Sequence, residues 1–250
     1  AIRQTLEEAI HEVTQNRLKV MQIAVILFNI DNFSRVVKNR GSEYAVQKVK
    51  LELLNLLLDF ARTIQGSVFN FGGDEYIIFS TRGAIISGTE DYSNMAVMEE
   101  VRRKLDLTIS CGIGFGRTVY GSELNARIGL SHAKDAGGDC VYIVEEDGSL
   151  SGPLGKPTML SYSMNSDAGT VKMAGEIGLR SSHINKLKAI RESIGEEKIS
   201  ASKLAAYLNV TERSARRILG ILAARGYAVE AGEETSGNKG RPRKAYYIRL

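Results

Sequence analysis

The chain has 250 residues, enough for one large or two modest domains, and 43% hydrophobic with 25% charged residues is an ordinary globular composition. No apolar run approaches the ~20 residues that cross a bilayer, and the chain does not open on a basic-then-apolar pattern, so the expectation is a cytoplasmic protein with no membrane partner. The net charge of +4 is uneven: residues 184–250 hold 14 Lys and Arg against 7 Asp and Glu, leaving 19 against 22 in residues 1–183. A basic excess confined to one end points to a polyanion-binding module joined to something else.

Residues 1–17 place Leu6, Ile10 and Val13 at helical spacing, a seam suited to pairing with a second copy. The apolar run over 21–28 predicts a strand, followed by a polar turn over 29–32. Val46, Val49, Leu53, Leu56, Leu57 and Phe60 predict one long amphipathic helix over 42–62. Gly72 and Gly73 separate two strand-like runs and read as a hairpin with Asp74 and Glu75 at its tip. Such paired carboxylates can hold a divalent cation against a triphosphate; the plainer reading is a solvated acidic tip. A helix over 94–104, a strand over 105–113, a helix over 122–135 and a strand over 140–144 follow. The order strand–helix–hairpin–helix–strand–helix–strand predicts a ferredoxin-like α+β fold. Cys111 and Cys140 lack metal-ligand spacing and read as reduced core thiols.

Residues 148–182 are rich in Gly and Ser, contain Pro153 and Pro157, and show no sustained period. They read as a linker between a domain over 1–147 and one over 183–250, with room for a short strand at 159–164. Helical spacing then returns over 184–194, over a second helix from Ser200 to about Leu208, and over a third capped by Thr211. A strand over 226–230, a Gly/Lys-rich loop and a final strand over 243–250 close the chain.

Three helices with a tight turn before the third, then a basic hairpin, are the layout of a winged helix-turn-helix. Leu204, Leu208, Val210, Ala215, Ile218, Leu219 and Leu222 supply its core. Thr211, Arg213, Ser214, Arg216 and Arg217 are left as candidate contacts to base edges and phosphates. Lys239, Arg241, Arg243 and Lys244 flank Gly240 and Pro242 in a loop suited to a phosphate backbone or a narrow minor groove. The stretch from Lys186 resembles the winged-helix regulators of prokaryotes, in which a Gly-Arg-Pro-Arg/Lys wing precedes a Tyr-containing strand; Tyr246 and Tyr247 stand there. The resemblance implies double-stranded DNA as partner, with contacts to protein alone as the alternative.

Residues 21–144 resemble the GGDEF domain, the catalytic module of diguanylate cyclases. Phe28-Asn29-Ile30-Asp31-Asn32-Phe33 stands at the family's Asp-x-Asp-x-Phe turn, Gly72-Gly73-Asp74-Glu75-Tyr76 is its signature, and Ala133-Lys134-Asp135-Ala136-Gly137 is similar to its phosphate-binding stretch. The resemblance implies a nucleotide ligand with Mg²⁺. It makes Asn29, Asp31, Gly72, Gly73, Asp74, Glu75 and Lys134 the candidate nucleotide or metal contacts, with Asp31 and Asp74 as metal ligands. The departures bear on activity. The first metal-holding aspartate is Asn29, a neutral amide. The two guanine-reading positions are Val37 and Val46, and losing each such hydrogen bond costs about 1–3 kcal/mol. The arginine expected after the phosphate lysine is Gly138. For Lys134 the plain alternative is a helix C-terminal cation favoured by the macrodipole. The Asn29–Phe33 turn also resembles the archaeal GTP cyclohydrolase III family.

The expectation is therefore a homodimeric DNA-binding regulator with a degenerate GGDEF-like domain that senses a nucleotide or only dimerises. The alternative is a Mg²⁺-dependent cyclase or cyclohydrolase III-like enzyme carrying a DNA-binding domain.

Overall fold

The computed structural model describes residue 14, residues 16–234 and residues 243–250. The seam at Leu6, Ile10 and Val13 and the loop cations Lys239 and Arg241 lie outside the described residues. The chain forms two compact units, one running to Asp147 and taking back Gly152–Gly155, the other comprising Gly148–Ser151 and Lys156–Leu250. Among the described residues no helix is long and apolar enough to cross a membrane.

The first unit holds β1 (Ile23–Ile30), α1 (Phe33–Arg40), α2 (Glu43–Thr63), β2 (Ser67–Gly72), β3 (Glu75–Thr81), α3 (Arg82–Gly88), α4 (Ala96–Leu105), β4 (Ile109–Gly116), α5 (Val119–Asp135) and β5 (Val141–Val144). Its strands are ordered β2-β3-β1-β4-β5. β1 is antiparallel to both β3 and β4, and β4 is parallel to β5, so this α+β unit has a mixed sheet.

Apart from Asn29, β1 is apolar, because both faces of the sheet are covered. Ala24, Ile26, Phe28 and Ile30 enter the larger core with Leu53, Leu57 and Val101 of α2 and α4, while Val25 and Leu27 pack with Ala126 and Leu130 of α5. Each large side chain so buried contributes roughly 1.5–3 kcal/mol. The unit thus has helices on both faces of its sheet rather than the two layers of a ferredoxin-like sandwich. β4 alternates by the same rule: Ile109, Cys111, Ile113 and Phe115 face the larger core, while glycines face α5. A Cβ on Gly112 would lie 2.1 Å from the Ala126 carbonyl oxygen, so a bare backbone is what lets the helix approach.

α3 begins with a buried cation. Arg82 bonds both carboxylate oxygens of Glu145, donates from Nε to Gln22 Oε1 at 2.9 Å, and stacks over the Phe115 ring at 3.6 Å. The charge is tolerated there because each of the three guanidinium nitrogens has an acceptor and one of the acceptors is a carboxylate.

The second unit contains β6 (Ser149–Gly152) as far as Ser151, β7 (Leu160–Ser163), α6 (Ala168–Ile177), α7 (Ser181–Ile194), β8 (Ile199–Ser200), α8 (Ala201–Leu208), α9 (Glu212–Ala224), β9 (Ala228–Glu234) and β10 (Arg243–Ile248). Residues 148–182 are therefore not a structureless linker. Asp167 caps α6 by accepting from the Thr170 N–H at 2.6 Å, and Gly178 ends it in the left-handed conformation, φ 80. The buried face of α6 is short, with only Thr170, Ala174 and Ile177, so its period is faint in the sequence. The core of this unit joins Ile184, Leu187 and Ile190 of α7 to Leu204 and Leu208 of α8 and Ala215, Ile218, Leu219 and Leu222 of α9, with Val210 packed against it. The three-stranded sheet runs β8-β10-β9.

Candidate functional site

The Gly-Gly hairpin joins β2 to β3. Gly72 and Gly73 have φ of 109 and 54, and nothing lies within 4 Å of a Cβ built on either, so glycine is needed there for conformation rather than space. A register shift between Asn70 and Gly72 kinks the tip, and the Gly72 N–H donates to Asn70 Oδ1 at 2.8 Å. The hairpin tip reaches β1 at Asn29, which pairs with Glu75 on one side and Ser110 on the other. Asn29 lies inside the strand, only 6% exposed, and not in the polar turn expected over 29–32.

The candidate ligands are engaged in separate ways. Asn29 Nδ2 donates to the Asp74 carbonyl oxygen at 3.4 Å, and the Ile30 N–H donates to the same oxygen at 3.1 Å. The amide nitrogen, not its oxygen, therefore faces the hairpin. Asp31 turns away from the hairpin: Oδ1 accepts from Ser110 Oγ at 2.5 Å and Oδ2 from the Asp139 N–H at 2.9 Å. Glu75 is neutralised by Arg127 of α5, at 3.0 Å. Asp74 is partly exposed and sits near enough to Tyr76 to add to the burial that raises that phenol's pKa. Among the described residues no group of three His, Cys, Asp or Glu side chains is placed to hold a metal ion. This donor set does not fit the Mg²⁺ that the GGDEF resemblance implies, since one of the two aspartates read as its ligands, Asp31, has both carboxylate oxygens committed to Ser110 and Asp139.

The nucleotide contacts divide likewise. Lys134 is exposed in the last turn of α5 and makes no ion pair among the described residues. Val37 is partly exposed and Val46 is buried at 3%, so neither position offers a hydrogen bond to a base. Gly138 cannot be a vacated arginine site without rearrangement. Its φ is +81, and a Cβ there would lie 2.8–2.9 Å from the Asp31 carboxylate. Arg127 is the residue the sequence reading missed. It bonds Glu123 and Glu75, which together raise its pKa, the Glu123 hydrogen bond most, and it lies 5.7 Å from the Phe71 ring centroid. It stands seven residues before Lys134, two turns along one face of α5. That spacing was the available signal.

In the second unit, α9 presents the other candidate set. Thr211 caps it by accepting from the Ser214 N–H at 3.2 Å, and the two hydroxyls share a hydrogen bond at 3.0 Å, so both residues have a structural task. Arg216 is held by Glu212 at 2.8 Å. Arg213 and Arg217 are exposed, one turn apart, with no ion pair among the described residues. Arg243 reaches Ser202 Oγ at 3.0 Å, and Lys244 pairs with Glu230 at 3.0 Å.

No family model and no curated protein matches the chain. Among solved structures it is similar to the GGDEF domain of DgcB from Caulobacter crescentus in complex with c-di-GMP, at 18% identity over 57% of this chain and 84% of that one, TM-score 0.40. It is similar to the active GGEEF domain of a diguanylate cyclase from Vibrio cholerae, at 17% identity over 53% and 86%, TM-score 0.37. It is also similar to the adenylyl cyclase CyaB from P. aeruginosa, at 14% identity over 91% and 93%, TM-score 0.30. All three TM-scores lie below 0.5, and what this chain does is read from its own residues.

Proposed function

We propose that the chain is a DNA-binding transcriptional regulator. Its second unit is a winged helix-turn-helix that grips duplex DNA as a homodimer, and its first unit is a degenerate GGDEF-like domain that senses a ligand without turning a nucleotide over. The observation that carries the DNA reading is the cationic face of α9. Arg213 and Arg217 stand exposed on the side opposite Ala215, Ile218, Leu219 and Leu222, which anchor the helix in its core. An exposed guanidinium with no carboxylate partner keeps its donors for phosphate oxygens or guanine edges. The separate engagement of Asn29, Asp31 and Glu75 supports the non-catalytic reading of the first unit.

Fluorescence anisotropy with duplex DNA across a salt series tests the DNA claim. Arg213→Ala with Arg217→Ala is expected to flatten the slope of log affinity against log salt by about one to two. An unchanged slope refutes the assignment. Nucleotide conversion is the second reading, and it draws on the exposed Lys134 and on Asp74 at the hairpin tip.

A further inference from the structure

α4 ends at Leu105, and Asp106 takes a left-handed conformation, φ 54, that turns the chain toward β4. Between this turn, α1 and α2 lies an open cleft of about 800 Å³ whose lining includes Arg35, Asn39, Arg102, Arg103, Lys104 and Thr108. It is separate from the hairpin: Arg35 and Asn39 mark the cleft side of α1, and Val37 projects from the other side.

The three cations of α4 have a local reason to be there, since unpaired carbonyls at a helix C-terminus attract positive charge. Glu100 holds Arg103 at 2.9 Å and Lys104 at 2.5 Å. Arg35 has neither reason. It comes from a different helix, is exposed, and makes no ion pair among the described residues. The acids of the cleft are Asp31, Glu52 and Asp106. Asp31 has both oxygens engaged by Ser110 and Asp139, and Glu52 lies 4.0 Å from Lys48. Exposed ion pairs are weak, so a multivalent anion displaces Glu100 from Arg103 and Lys104 at little cost.

We propose that this cleft binds a small molecule bearing two or more phosphate groups, clamped between Arg35 of α1 and Arg103 with Lys104 of α4. Arg102 gives the site a consequence. Its Nε bonds both carboxylate oxygens of Asp139 at 2.8 Å, and the Asp139 N–H in turn holds Asp31 at 2.9 Å, two residues beyond Asn29. A phosphate that draws Arg102 from Asp139 loosens this loop. The site names the ligand class that the regulator reading leaves open. It depends on that reading only for its consequence, because binding is measured without DNA.

Isothermal titration calorimetry of the full chain with tripolyphosphate, ATP and GTP, without metal, tests it. At least one of the three is expected to bind, and Arg35→Glu with Lys104→Glu is expected to weaken that binding by about tenfold or more. Lys134→Ala is expected to leave it unchanged. Both replaced residues are exposed, and Arg35→Gln with Lys104→Gln, checked by circular dichroism, guards against a folding defect. Three results overturn the proposal: no binding of any probe, unchanged affinity in either folded cleft variant, or affinity lost in Lys134→Ala and kept in the cleft variants.

Discussion

Replacing Asp31 by alanine separates a structural carboxylate from a metal ligand, because the two readings predict opposite signs. In the structure the Asp31 carboxylate accepts from Ser110 Oγ at 2.5 Å and from the Asp139 N–H at 2.9 Å. Hydrogen bonds to a charged acceptor are worth ~1.5–3 kcal/mol each, and water recovers part of that at a partly exposed position, so the expected loss is about 2–4 kcal/mol. For a unit of this size that lowers the melting temperature by about 5–15 °C. Calorimetry, which can resolve the melting of the two units, should show the loss in the first unit only, equal with and without excess Mg²⁺. Asp31→Asn, which keeps one acceptor, should fall between. A carboxylate kept for a metal behaves otherwise: removing it leaves the metal-free protein as stable or more so, and abolishes a stabilisation by Mg²⁺. That outcome would refute the role assigned to Asp31.

Three further outcomes follow from packing and capping. Gly112→Ala puts a Cβ 2.1 Å from backbone oxygen, where no side chain can yield; urea denaturation should show a loss of about 3 kcal/mol or more, or no folded first unit. Glu145→Ala strands a cation whose side chain is 6% exposed and should cost about 3–5 kcal/mol, whereas Arg82→Met with Glu145→Leu should recover most of the loss. The Asp167 carboxyl is held below its ordinary value, chiefly by the Thr170 N–H it caps. Its contribution is therefore present above the unfolded-state value of 3.8 and lost as pH falls through the lowered folded value. Asp167→Asn should flatten that part of the acid-unfolding curve of the second unit, and an unaltered curve would contradict the cap.

What was legible in the sequence is what depends on neighbours in the chain. The apolar run at β1, the helical period of α2, the Gly-Gly hairpin and the α8–α9 core all sit where local pattern puts them. The misses come from pairings across distance. Asn29 reads as a turn residue until β3 and β4 are seen to pair with it from both sides. Arg127 gains meaning only through Glu75, a residue on another element. α1 was not anticipated because its N-cap, Asn32, lies at φ 51 and makes no side-chain capping bond. β8 is two residues long and exists only because Ser200 and Ile199 pair with β10. The site suffers most from this, because the chemistry of a carboxylate depends on which donors reach it. Asp31 and Asp74 look equivalent in the chain, yet Asp31 has both oxygens committed elsewhere.

The most direct test of the account is to incubate one preparation with GTP and ATP plus Mg²⁺ or Mn²⁺, analyse the nucleotide pool by mass spectrometry, and measure its affinity for duplex DNA. An unchanged pool from protein that binds DNA with a steep salt dependence is the predicted result. A new product that disappears in Asp74→Ala while DNA affinity persists would contradict it and make the first unit an enzyme.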